Sequence, residues 1–365
     1  MESMLWSISE DRLVSMLTFT AEDLLAPVNP ADAAPLLALI DAASLCFGQI
    51  DDAALQHLHL DNPARLKPFI ALGDGRYFLS NPHSLGMNVA EILQEICNRT
   101  PATKGRMEDM RAEWLETKLR SIVSTFLPHA DIRRSVEWTD PENHRGYESD
   151  VIAVIDKTVI VFEAKSAKID GPAKRGALNS LKGALRKLVV EPSDQSARFK
   201  RMLEAATGTL VLPSDDGDLE IDAATVRNVI RVNVVLDPVG PLSAHWPRLK
   251  DAGLVPKDAD IAPTMSIFEL ETVLESLTME VERCHYLSRR GELEQQVAYI
   301  ADELDLLAFY IETQFNVQST RAARRAVALR QVRRGGIGLQ RGKECRDAVL
   351  PYQADADVAG DAAVS

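Results

Sequence analysis

No run in this 365-residue chain approaches the roughly 18 consecutive apolar residues that a membrane-spanning helix needs, so no span is expected. The opening MESMLWSISEDRL has neither a basic leader nor a long apolar core, which argues against a secretory signal. Cysteines are sparse. Cys46, Cys97, Cys284 and Cys345 include no CxxC pair and no zinc-like spacing, so reduced thiols in a cytoplasmic protein are expected. Also missing are a Gly-rich phosphate loop, a Rossmann glycine fingerprint and any spacing that suggests a Ser-His-Asp arrangement. An excess of positive charge is absent too, and the net charge of −13 argues against broad, non-specific attraction to nucleic acid. What remains, at 46% hydrophobic and 26% charged residues, is the composition of an ordinary soluble globular protein with material for two or three domains.

The most informative stretch is Tyr147 to Ser166, YESDVIAVIDKTVIVFEAKS. Two runs of β-branched and aliphatic residues flank Asp156-Lys157, a polar pair suited to a tight turn, and together they read as a hairpin. If that pair is the loop, Ile155 faces Thr158, Asp150 falls opposite Glu163, and Glu148 falls opposite Lys165. Alternation then places all four charges on one face at the open end. The flanking runs are apolar on both faces, as in a strand covered on both sides. Carboxylates directly opposite one another repel, and unpaired charge beside such strands is costly. A divalent cation between Asp150 and Glu163 would remove the conflict, because hard oxygen ligands suit Mg²⁺ or Mn²⁺. The plain alternative is a hairpin end open to water, with Glu148 and Lys165 as an ordinary ion pair.

Asp150, followed by Glu163-Ala164-Lys165 at the end of an apolar strand, resembles the signature of the PD-(D/E)XK nuclease superfamily. VFEAKS, followed by a basic, Gly-containing segment and a helix, is similar to an uncharacterised bacterial nuclease-related branch. The resemblance covers roughly residues 105 to 240, and residues 265 to 316 look like a segment that accompanies such domains. It implies an α/β fold: a restriction-endonuclease-like mixed sheet flanked by helices, with helical N-terminal and C-terminal additions. It implies metal-dependent hydrolysis of phosphodiester bonds, most readily in DNA. Asp150, Glu163 and the Ala164 carbonyl would hold Mg²⁺ or Mn²⁺. Lys165 would position water, act as a base if its pKa is depressed, or offset phosphate charge. A further acid from the helix before the sheet is implied, with Glu116 chosen for LExxL and Glu113 as the runner-up; both also fit a solvated helix face. Gln195 resembles a helix glutamine that some branches place near the metal or phosphate, though it also reads as a surface glutamine. Lys168, Lys174 and Arg175 would hold a nucleic-acid backbone, and a homo-oligomer or protein partner stays open. A different class also stays open: an inactive nuclease-fold module that binds nucleic acid or a protein.

The rest of the chain frames this core. Residues 1–100 read as a mostly helical domain, with Ser9 as a cap, a small hairpin about Gly73-Asp74-Gly75, and a helix over 85–97. His57 and His59 alternate as in a strand or loop, with no third ligand nearby. On that resemblance, residues 105–240 read as the nuclease-like domain. It begins with a helix over 106–127, in which Leu115, Leu119, Ile122 and Val123 share one side, and a strand follows over 131–138. His144 and Arg145 in the next loop read as surface, or as phosphate contacts. Later come helices over 177–189 and 193–206, the second capped by Ser193 or Asp194, then strands at 208–212 and 229–236. Ten Lys or Arg against three acids between Ala164 and Arg201 put local positive charge beside the proposed site. Residues 241–316 read as a helical C-terminal region, and 317–365 as a tail that begins with nine Lys or Arg over 317–346.

Overall fold

The computed structural model describes residues 12–50, 62–79, 81–240, 246–296 and 301–316. The expected Ser9 cap, the His57 and His59 pair and the basic tail lie outside these. The chain divides into two compact units: Met1–Arg111 with Ile169–Leu181, and Ala112–Lys168 with Lys182–Ser365. Among the described residues no helix is long and apolar enough to cross a membrane, and Cys46, Cys97 and Cys284 form no disulfide.

In the first unit, β1 (Thr18–Thr20), β2 (Ser44–Leu45), β3 (Phe69–Gly73) and β4 (Arg76–Phe78) form a small sheet in the order β1-β4-β3-β2. The anticipated hairpin joins β3 and β4. Its turn needs positive φ at Asp74 (56°) and Gly75 (69°), which aspartate tolerates and glycine favours. The described helices of this unit include α1 (Ala21–Leu25), α2 (Pro30–Ala42), α3 (Pro63–Leu66) and α4 (Pro82–Cys97). Asn29, Asn62 and Asn81 cap the last three, each with Pro at the helix start, where its missing N–H costs nothing. Ile40, Phe69, Tyr77 and Ile92 form the core. The Tyr77 hydroxyl donates to Asp41 at 2.5 Å, and that bond, with burial, pushes the phenol up to about 12. Asp41→Asn should return one tyrosine toward the ordinary value of about 10, read by ultraviolet difference titration.

The unit boundary falls inside α5 (Pro101–Phe126). In the second unit, β5 (Asp131–Thr139), β6 (Gly146–Ile155) and β7 (Thr158–Lys165) are antiparallel. β10 (Asn228–Val235) then runs parallel to β7, and β11 (Thr264–Ser266) parallel to β10. The order is β11-β10-β7-β6-β5. Residues 159–164 of β7 are all buried, and burying each large aliphatic or aromatic side chain contributes about 1.5–3 kcal/mol, which draws this strand to the sheet's centre. One face meets Leu115, Leu119, Ile122 and Val123 of α5. The same core takes Ile267 and Leu270 of α9 (Ile267–Ser276), Tyr286 of α10 (Glu280–Gln296) and Leu306 of α11 (Glu303–Thr313). The opposite face meets Phe199, Met202 and Leu203 of α7 (Glu191–Ala205), together with β8 (Thr209–Leu212) and β9 (Leu219–Asp222). The architecture is a mixed sheet with helices on both faces.

Four expectations change. The C-terminal helices are no separate region, because their apolar faces complete the sheet's core. The strand expected at 208–212 lies in its own two-stranded ribbon, paired with β9 across the acidic turn. Prolines and short polar runs over 238–264 read as a connector, and within it lies a short helix, α8 (Trp246–Asp251). The helix expected to start at a Ser193 or Asp194 cap starts earlier and without a side-chain cap. α6 (Leu178–Leu185) leads through a π turn, Arg186–Val190, directly into α7. The Asn233 amide donates to the Val189 carbonyl (3.3 Å) and Ser193 hydroxyl (2.8 Å), holding that turn in place.

Candidate active site

The hairpin closes as its sequence anticipates: Ile155 pairs with Thr158, and the ladder continues to Val151↔Phe162. Asp156 takes the left-handed conformation that lets two residues reverse the chain. The ladder stops there. Asp150 does not stand opposed to Glu163 in it; its carboxylate accepts the Ala164 backbone N–H at 2.5 Å. Glu148 pairs with Glu137 of β5, and Lys165 with Val235 of β10, so the expected Glu148–Lys165 opposition is absent from the ladder. The single-face alternation fails as well. Tyr147 packs on the α7 side with Trp138, whereas Val151 and Ala153 pack on the α5 side. The change of phase coincides with Ser135, a β5 residue at φ 51°, which inserts a local twist beside Asp150.

The carboxylates meet through Lys165. Its ammonium lies 3.2 Å from Asp150 Oδ2 and 3.9 Å from Glu163 Oε2. Glu163 is fully buried. Its Oε2 accepts from the Gln195 amide at 2.8 Å, the same amide that donates to the Glu148 carbonyl at 2.5 Å, while Oε1 accepts no hydrogen bond. Burial and the neighbouring Asp150 charge push the Glu163 carboxyl well above its usual range, against Lys165, Ser149 and Gln195. Burial works against the Lys165 charge, but Asp150 and Glu163 outweigh it and raise the ammonium pKa. With both carboxylates free of metal the Lys165 ammonium is favoured, the opposite direction from the depressed-pKa base expected as one option.

α5 contributes one acid here and withholds the other. Glu116 is half-buried and pushed up to about 7 by burial, then by Asp150 and Glu113. Glu113 accepts from Arg134 at 3.0 Å and is mostly exposed, so its carboxylate is already engaged. Of the basic residues, Lys168 belongs to the same unit as the site. Lys174 and Arg175 belong to the first unit, where Lys174 is 3.9 Å from Glu91. His144 and Arg145 are exposed in the β5–β6 loop. Sequence reasoning missed Ser149, which is buried and accepts from the Trp138 indole at 3.2 Å, and Arg134; a serine and an arginine inside alternating strands carry no signal of a role.

Among the described residues, no group of three or more His, Cys, Asp or Glu side chains stands in metal-binding geometry. The donor chemistry here is two carboxylates, one with an unpartnered buried oxygen, and the Ala164 backbone, a hard set compatible with Mg²⁺ or Mn²⁺. No family model matches the chain, and no curated protein matches it. Among solved structures it is similar to the crystal structure of protein VC1899 from Vibrio cholerae, at 15% identity and a TM-score of 0.20, over 70% of this chain and 52% of that one. The chain thus spans about half the length of that protein, and a likeness so distant carries no argument about either.

Proposed function

We propose that the second unit is a restriction-endonuclease-like domain of the PD-(D/E)XK type and hydrolyses phosphodiester bonds in nucleic acid, DNA first. The observation that carries the reading is Glu163: a fully buried carboxylate with one unpartnered oxygen, beside Asp150 and bridged by Lys165. A fold keeps a buried carboxyl with an unpartnered oxygen at a cost, and such groups concentrate at working sites. Asp150, Glu163 and the Ala164 carbonyl would hold Mg²⁺ or Mn²⁺, which when bound lowers the pKa of water and offsets phosphate charge. Lys165, as an ammonium, offsets charge on the phosphate. Gln195 fixes the Glu163 rotamer through its amide. Glu116, poised at about 7, is the group placed to exchange a proton near Asp150.

The test is cleavage of mixed single- and double-stranded DNA, with and without Mg²⁺ or Mn²⁺, by wild type and Asp150→Ala. The expected result is cleavage that needs both the metal and Asp150. Wild-type activity in the variant would remove the proposal. One observation favours an inactive binding module: Lys165 already balances the two carboxylates without an ion. Nucleic-acid binding that ignores Mg²⁺ and survives Glu163→Ala, with no cleavage in either metal, would select it.

A further inference from the structure

Along the second-unit part of α5 lies a polar cleft of about 460 Å³, lined by Thr117, Arg120, Ser121, Ser124, Arg134 and Asp216 among others. At helical spacing, Thr117, Arg120, Ser121 and Ser124 follow Glu116 along neighbouring sides of one helix. Arg134 ties the cleft to the site, since its charge acts on Glu116. Both cleft arginines are held by consecutive aspartates from the β8–β9 turn. Arg120 Nε is 2.8 Å from Asp216, and Arg134 Nη2 is 3.3 Å from Asp215. Asp216 also accepts the Arg134 backbone N–H at 3.3 Å, and Arg134 Nη1 donates to Glu113 at 3.0 Å and Thr117 at 3.3 Å. The turn is shaped for this display: Gly217 sits at φ 99°, and the Ser214 hydroxyl closes onto the Gly217 carbonyl at 2.5 Å.

We infer that this cleft binds the sugar-phosphate backbone of a polynucleotide beyond the Asp150–Glu163 centre, and that Asp215 and Asp216, the carboxylate partners of its two arginines, stand in for two phosphates until the strand displaces them. The inference rests on the nucleic-acid reading above and adds a second contact region to it. Carboxylate and phosphate present the same acceptor geometry to an arginine fork, so what holds one holds the other. The row of hydroxyls supplies neutral donors for phosphate oxygens. Displacement is feasible because each ion pair keeps one well-exposed partner, Arg120 at 42% against Asp216 at 30% and Asp215 at 55% against Arg134 at 23%, and exposure weakens such pairs. An otherwise acidic chain thereby keeps its two phosphate-binding arginines masked against indiscriminate attraction.

The experiment is fluorescence anisotropy with short labelled oligonucleotides, single- and double-stranded, in EDTA so that nothing is cleaved, using the full chain. Asp215→Asn with Asp216→Asn should tighten binding about threefold to tenfold by removing the competitor. Arg120→Gln with Arg134→Lys should weaken it about tenfold or more and reduce the salt slope by about 1 for each phosphate no longer neutralised. Arg289→Ala, in a surface pair on α10, should leave binding unchanged. Thermal melts confirm that each variant folds. Unchanged binding in the arginine variant, unchanged or weaker binding in the aspartate variant, or no polynucleotide binding by wild type would each overturn the inference. Asp150-dependent cleavage alongside unaltered binding in the cleft variants would sink the cleft and leave the nuclease reading standing. Cleft-dependent binding without cleavage of any nucleic acid would do the reverse.

Discussion

Lys165→Ala is expected to lower the rate of phosphodiester cleavage by about 10²–10³-fold, the range for removing one charge-stabilising donor from a reaction centre. It should also lower stability in the absence of divalent metal. The ammonium is the one cation within 4.0 Å of both Asp150 and Glu163 among the described residues, so removing it leaves two buried or half-buried carboxylates facing each other. Stranding such groups costs about 1–3 kcal/mol, which for a domain of this size is a fall of roughly 2–12 °C in Tm. Added Mg²⁺ should then raise Tm more in the variant than in wild type, because no ammonium competes for the carboxylates. Cleavage kinetics and thermal melts, each with and without metal, check all three effects. A variant with wild-type rate and melting temperature would show that Lys165 is an ordinary partner at a wet hairpin end.

Glu163→Gln should separate activity from stability in opposite directions. Cleavage falls to background, since the variant lacks the carboxylate proposed to hold the metal. Stability rises. In the folded chain Glu163 keeps its proton to well above the usual carboxylate range, whereas unfolded it releases the proton near the ordinary value. Between those two pKa values the folded state binds the extra proton. This group's contribution is therefore fully present in acid and is lost as pH rises through the folded pKa. Glutamine accepts the Gln195 amide in the same way and carries no charge to bury, so the loss disappears. At neutral pH the gain is about 1–3 kcal/mol, or roughly 2–12 °C in Tm, and it should shrink toward zero below the ordinary carboxylate range. Melting wild type and variant across pH reads it. A Tm that falls in the variant at neutral pH would mean that the ionised carboxylate is well satisfied in the fold.

How much of this the sequence carried can be seen at the hairpin. Two apolar runs around Asp156-Lys157 are enough to set the register, because a one-residue slip would turn every buried side chain to the other face. Local rules ended where tertiary structure took over. Nothing in the letters marks Ser135 for a left-handed backbone, so the change of phase that turns Tyr147 toward Trp138 was not legible. Glu113 and Glu116 stand three apart on one helix and look alike; Arg134, from a later strand, hydrogen-bonds the first and acts on the second through its charge alone. Gln195 was legible as a candidate, but its bond to Glu163 spans 32 positions and depends on the turn before α7. Lys174 and Arg175 are close in sequence to Lys165 yet belong to the other compact unit, a division that no local pattern announces.

The π turn at Arg186–Val190 gives chain length a role usually reserved for side chains. Each helical residue advances the chain by about 100° and 1.5 Å. An α-helix covers the arc of this turn with about one residue fewer, so a one-residue deletion that restored ordinary winding would leave Glu191–Ala205 in phase, whereas a one-residue insertion would turn the whole of it by about 100°. Gln195 would swing off Glu163 and the Glu148 carbonyl, and Phe199 would rotate out of the core, although no residue touching the site had changed. A catalogue of substitutions would miss this sensitivity. An insertion set against a deletion would expose it, so the five residues that set the winding are better aligned by spacing than by identity.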